Sequence, residues 1–219
     1  MNAINLLSYS IPLLKTSTTG REALDLMSDH FVQHLPIVNN EQLLGIISED
    51  DILENDEEES IGSYQLSIQQ PPVKSSDHIF DVMAQIARSR LTVIPVVDDS
   101  DKFLGVISQQ DLLKYFADSY SFSETGGIIV LEMSRTDYAL SDICRVVEGE
   151  NVAVISSFIS RATEENQINL HIKISDSEIY RVIAALDRYG YNIVASYTEQ
   201  PDTDVLKDRF ESFMHYLNF

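Results

Sequence analysis

The stretch His34-Leu-Pro-Ile-Val-Asn-Asn-Glu-Gln-Leu-Leu-Gly-Ile-Ile-Ser-Glu-Asp-Asp51 decides the fold, because its pattern returns at Val93-Ile-Pro-Val-Val-Asp-Asp-Ser-Asp-Lys-Phe-Leu-Gly-Val-Ile-Ser-Gln-Gln-Asp111. Each copy reads as an apolar strand with a central proline, a polar turn and a second apolar strand containing glycine. Ser-x-x-Asp then opens a helix. Pro36 and Pro95 lie 59 residues apart and Gly45 and Gly105 lie 60 apart, so the second turn has gained one residue. Proline cannot donate to a sheet ladder, so each should mark a strand edge or an irregular position.

The repeat extends upstream. Leu24, Met27 and Phe31 fall on one face of a helix in the first copy, and Ile79, Val82, Met83 and Ile86 do so in the second. Short apolar stretches, residues 11–16 and 71–75, precede these helices. Two β-α-β-β-α repeats follow, over residues 1–60 and 61–120. Glu54 to Glu59 and the Ser/Gln-rich residues after them read as a solvated connection.

From Gly126 the pattern changes. Strands are expected over 127–133, 151–160, 167–175 and 191–198, with helices over 138–148 and 178–189. Ile168, Leu170, Ile172 and Ile174 alternate strictly with Asn169, His171 and Lys173, and Gly190 supplies a helix stop. The order βαββαβ over 125–200 is that of a ferredoxin-like unit. The predicted fold class is therefore α+β throughout. A tail over 201–219 sets Leu206, Phe210, Phe213, Met214 and Leu217 on one helical stripe, suited to packing on its own domain or a partner subunit.

The 219 residues are 44% hydrophobic and carry a formal net charge of −20. Such a surface repels DNA, RNA and anionic membranes. No apolar run approaches the ~20 residues of a membrane span, and the first residues do not read as a signal peptide. Cys144 is the single cysteine, at helical spacing with Leu140, Ile143 and Val147, which points to packing rather than reactivity. A cytoplasmic location is expected. There is no P-loop, no GxGxxG and no recognisable Ser/His/Asp set, so an enzyme is not expected. His30 and His34 lack a third metal ligand.

The chemistry sits in the two Ser-x-x-Asp motifs. A serine hydroxyl and free N–H groups at a helix start can meet a phosphate, and an aspartate three residues on can accept from a ribose diol. The competing reading is a capping box, in which Ser and Asp only satisfy the helix's own N–H groups.

With these residues the chain resembles a tandem pair of CBS domains, modules whose clefts bind adenosine-containing ligands such as AMP, ADP, ATP or S-adenosylmethionine. The resemblance implies that Asp51 and Asp111 hold ribose hydroxyls, and that Ser48 and Ser108 approach the ribose or α-phosphate. It further implies that His34, Leu35, Ile37, Val93, Ile94 and Val96, around Pro36 and Pro95, flank the adenine. Thr16 and Ser75 would meet the base edge. Residues 126–198 resemble an ACT domain, and the whole arrangement is similar to acetoin-utilisation regulatory proteins. Tyr138 stands where an amino-acid-binding ACT domain has glycine, so assembly is expected of that unit.

Where family members that bind phosphate often carry arginine, this chain has Asp50 and Gln110. Two like charges ~4 Å apart repel by roughly 4 kcal/mol at an effective dielectric near 20. Glu49, Asp50 and Asp51 thus disfavour phosphate in the first cleft unless Mg²⁺ accompanies it. Gln109 and Gln110, with Lys74, Arg88 and Arg90 near in sequence, favour the second. The expected protein is a homodimeric regulatory sensor of an adenosine-type ligand, acting on a protein partner of unknown kind; the alternative is an assembly module whose clefts bind nothing.

Overall fold

The computed structural model describes residues 1–66, 71–119 and 124–198. The chain divides into two compact units, Met1–Asp118 and Ser119–Phe219.

In the first unit the register explains the repeat. Strand β1 (His34–Asn39) pairs antiparallel with β2 (Gln42–Ser48), with His34 opposite Ser48 and Pro36 opposite Ile46. Strand β4 (Val93–Val97) pairs with β5 (Phe103–Ser108) in the same way, with Val93 opposite Ser108 and Pro95 opposite Val106. Each hairpin has a bulge one residue beyond its proline, between Ile37 and Val38 and between Val96 and Val97. The expectation of a strand edge fails for Pro95, because β4 is the central strand of a three-stranded sheet. The irregular position is what holds. Strand β3 (Val73–Lys74) joins β4 in parallel only from Val96 onward, so the ladder starts one residue past the missing N–H. The first copy has a single parallel bridge in place of β3, Leu14 to Ile37.

Helix α1 (Gly20–Asp29) precedes β1, and Thr19 caps it by accepting from the Glu22 N–H while Glu22 accepts from the Thr19 N–H. Its buried face is Ala23 and Met27. Phe31 is not on that face. It lies beyond the helix end at φ 54° and is 83% exposed, because the chain there turns left-handed to enter β1. After β2 comes the short α2 (Glu49–Leu53). In the second copy α3 (Ile79–Ser89) buries Ile79, Val82 and Ile86 while Met83 stays exposed, and α4 (Gln109–Ser119) follows β5.

The two copies interlock. Val93, Phe103 and Val106 of the second copy pack into the core of the first, and Ile46 of the first packs into the core of the second. Ala3 is fully buried against the second copy, where the Ala3 N–H donates to the Asp77 carbonyl and Ile4 N–H to that of Ser75. Each fully buried Ile or Leu in these cores contributes about 1.5–3 kcal/mol.

The acidic connection is not a free solvated segment. The Glu57 and Glu59 carbonyls accept from the first N–H groups of α1, at Arg21 and Gly20. The Arg21 guanidinium pairs with Glu57 and Glu58, and Ile61 and Tyr64 are buried in the first core. Side-chain pattern alone hid this, because main-chain carbonyls do the anchoring.

The second unit has the predicted ferredoxin-like order: β6 (Gly127–Ser134), α5 (Leu140–Gly149), β7 (Val154–Arg161), β8 (Gln167–Ile174), α6 (Tyr180–Arg188) and β9 (Asn192–Tyr197). Its antiparallel sheet runs β7-β8-β6-β9. Ile168, Leu170, Ile172 and Ile174 are all buried, and the last three share one core with Ile143 and Val147 of α5 and Val182 and Leu186 of α6. Gly190 ends α6 at φ 81°. Cys144 is half-buried, and burial and then the charge of Glu148 push its thiol pKa up. The amphipathic tail read over 201–219 lies outside the described residues.

Candidate functional site

Both Ser-x-x-Asp motifs end the second strand of a hairpin and start a helix, and both are closed on themselves. In the first copy Ser48 Oγ donates to Asp51 Oδ2 at 2.7 Å, the Ser48 N–H donates to the same oxygen at 2.9 Å, and the Asp51 N–H donates to Ser48 Oγ at 3.0 Å. In the second, the three corresponding distances are 2.5, 3.3 and 3.0 Å for Ser108 and Asp111. The capping arrangement is therefore present twice, and any ligand would have to use what it leaves.

The copies differ in what remains. Asp51 is 4% exposed, whereas Asp111 is half-buried and, among the described residues, has no hydrogen bond to Oδ1. Helix α2 has five residues and places Glu49, Asp50 and Asp51 in its first turn. Helix α4 has eleven and places only Asp111 there. A cavity against the first motif, lined by Gln33, His34, Ser48, Glu49 and Asp50, holds about 60 Å³, and a more open one of about 500 Å³ lies on the other side of Gln33 and Glu49, over Leu24, Phe31 and Leu53. Small-molecule sites run to roughly 300 Å³ or more, so the cavity against the motif takes water rather than a nucleoside.

Of the other residues assigned by resemblance, His34 lies opposite Ser48 and Val93 opposite Ser108, and the rest are not gathered around these motifs. Leu35, Ile37, Val93, Ile94 and Val96 are at most 3% exposed, and Pro36 and Pro95 are buried with them. Leu35, Ile37 and Val93 belong to the core of the first copy, and Ile94 and Val96 to that of the second. Thr16 and Ser75 sit at the wrong end of their sheets. Ser75 follows β3 and donates its N–H to the Val97 carbonyl, whereas Ser108 is opposite Val93. At ~3.3 Å per strand residue the separation is about 13 Å. Thr16 lies two residues past the Leu14–Ile37 bridge, equally far from the His34–Ser48 end. Lys74 is likewise distant, and its Nζ is held by Asp101 and the Asp98 carbonyl. Arg88 and Arg90 end α3 just before β4, on the side where Ser108 lies, and both are exposed.

His34 is the one base-flanking candidate that reaches the cavity. Burial pushes its pKa below the ordinary imidazole value, and the charges of Asp51 and then Asp50 oppose that shift. Its Nδ1 accepts from the Thr92 N–H at 3.2 Å and lies 3.0 Å from Thr92 Oγ1. Thr92 was not legible as a site residue. The signal available was its place, one residue before the second hairpin, where the first copy has Gln33.

Two hairpins with matching bulges, each closed by a strand-to-helix Ser-x-x-Asp, define a duplicated module. Residues 5–58 and 66–118 each match the CBS domain family, and the first unit is a tandem CBS domain pair. Curated relatives include an uncharacterized protein of Methanocaldococcus jannaschii, 25% identical over 113 residues, covering 49% of this chain and 36% of that one. A homoserine O-acetyltransferase of Methanocorpusculum labreanum is 29% identical over 118 residues, covering 51% and 23%. The chain spans well under half the length of these relatives. Similar solved structures include a CBS domain pair/ACT domain protein of Thermotoga maritima, with 21% identity, a TM-score of 0.49, and coverage of 54% of this chain and 98% of that one. CBSX2 in complex with AMP matches with 20% identity and a TM-score of 0.45, covering 52% and 93%. Among the described residues no helix is long and apolar enough to cross a membrane.

Proposed function

We propose that the CBS pair is a sensor for an adenosine-containing ligand, with its working cleft at Ser108–Asp111 rather than at Ser48–Asp51. The observation that supports this is the difference between the two aspartates. Asp111 is half-buried and open to water and to a ribose diol, while Asp51 is 4% exposed and neighbours Glu49 and Asp50, which line a 60 Å³ cavity. The CBS family assignment supports the ligand class. AMP, ADP, ATP and S-adenosylmethionine are the compounds to try, and the first cleft is reserved at most for an uncharged or cationic ligand. The ferredoxin-like unit serves assembly or output, as an ACT-like domain, in a cytoplasmic homodimer like the acetoin-utilisation regulators that the chain resembles. Calorimetric titration with the four compounds at millimolar concentration tests the reading: heat and a raised melting temperature with one of them support it, and neither with any of them overturns it.

A second reading has its own support. Both motifs are complete capping boxes, and most of the base-flanking candidates are core residues. On that reading the chain is an assembly module without a ligand, and the same titration decides between the two.

A further inference from the structure

Thr92 stands between the two Ser-x-x-Asp ends and is bonded toward both. Its carbonyl accepts from the Gln109 N–H, the first of α4, at 3.0 Å. Its Oγ1 accepts from the Gln33 N–H at 2.9 Å, and the Gln33 carbonyl in turn accepts from the Glu49 N–H, the first of α2, at 3.0 Å. Its own N–H donates to His34 Nδ1. The arrangement occurs once, although the fold is duplicated, because Val93 occupies the place of His34 in the second copy and Gln33 that of Thr92 in the first.

We propose that His34 and Thr92 form a proton-sensitive latch coupling the two Ser-x-x-Asp ends, closed while His34 Nδ1 is an acceptor and opened when that nitrogen takes a proton. In the closed form Nδ1 receives a backbone N–H, so the ring proton is on Nε2. A proton on Nδ1 sets two N–H groups facing each other, and the Thr92 N–H loses its acceptor. The Thr92 hydroxyl, which donates to neutral Nδ1 while its oxygen accepts from Gln33, then loses the ring as its acceptor. The disturbance reaches Gln109 through the Thr92 carbonyl and Glu49 through the Gln33 carbonyl. The charged groups facing His34 are Asp51, Asp50 and Glu49, all from α2; on the β4 side its partner is the uncharged Thr92. The latch lends the proposed ligand site a pH response, resting on that reading to this extent only, because the hydrogen bonds are there without a ligand.

The test is an NMR titration of the ligand-free full chain between pH 5 and 8. The ring resonances of His34 and the backbone amides of Ser108 and Gln109 should share one midpoint, and His34→Asn, which keeps an acceptor near the Nδ1 position, should abolish the response at both amides. Thr92→Val should raise the His34 midpoint by about half a unit, the share of one hydrogen bond, and Thr92→Ser should restore it. Amide responses that persist in His34→Asn, or a His34 midpoint unchanged by Thr92→Val, overturn the latch. A chain that binds no nucleotide overturns the sensor reading and leaves this titration intact.

Discussion

Ser48 and Asp51 hold each other through three hydrogen bonds while only 8% and 4% exposed, so the first motif is built as a structural joint. Replacing the carboxylate strands the Ser48 N–H and hydroxyl inside the protein. Asp51→Ala is expected to lower the unfolding free energy by about 2 kcal/mol, combining a lost cap with an unsatisfied buried donor. Urea denaturation measures this, and a cost near zero would mean that the joint is not structural.

The second motif makes the opposite demand. Asp111 is half-buried, so water can replace its carboxylate in the cap, and Asp111→Ala is expected to cost about 1 kcal/mol or less. Its effect belongs in binding. Calorimetric titration with whichever adenosine compound binds the wild type should give no heat with Asp111→Ala, and near-normal heat per folded molecule with Asp51→Ala. The reverse pattern would move the working cleft to the first copy.

This asymmetry was partly legible in the sequence. Three acids against one acid and two glutamines already separated the motifs, and the strand prolines and glycines set the hairpin register through their spacing. Neither fact could place Thr16 or Ser75, since a residue's distance from a motif depends on strand direction. The parallel β3–β4 pairing carries Ser75 to the far end. Nor could local pattern find the link from His34 to Thr92, which joins residues 58 apart whose own repeat equivalents, Val93 and Gln33, do not form it. In the second unit the alternation from Ile168 to Ile174 was enough to fix the strand and its inward face, because both follow from period two alone, but it did not reveal that Lys173 on the other face is buried as well.

The acidic segment over residues 56–64 closes on the start of α1 so tightly that a methyl group at Gly20 would lie 2.5 Å from Tyr64 Oη, 2.8 Å from Ile52 Cγ2 and 3.0 Å from Glu57 Cα. Gly20→Ala is therefore expected to destabilise the CBS pair by about 1–3 kcal/mol, the usual cost of overpacking. Tyr64 Oη also donates to the Asp56 carbonyl at 2.6 Å, so Tyr64→Phe alone loses a hydrogen bond. Combined with Gly20→Ala it removes a clashing atom. The double variant should be more stable than the sum of the single costs by roughly 0.5–1 kcal/mol. Strict additivity in urea denaturation would show that the segment moves away freely.

The pH dependence of stability follows from the direction of the His34 shift. Burial lowers its folded-state pKa below the ordinary value near 6.5, against the pull of Asp51 and Asp50. Between the folded value and 6.5 the unfolded chain binds a proton that the folded chain refuses, so unfolding takes up a proton there. The stabilisation from neutral His34 is thus complete above pH 6.5 and diminishes as the pH falls through the folded value, below which it is constant. The many carboxylates of this acidic chain titrate over a neighbouring range, but they are common to the wild type and His34→Asn. Their difference in unfolding free energy, measured by urea denaturation from pH 5 to 8, isolates the imidazole. The wild type should lose stability relative to His34→Asn as the solution is acidified. A difference that stays flat, or one that grows in favour of the wild type at low pH, would mean that the folded chain takes up the His34 proton at least as readily as the unfolded one.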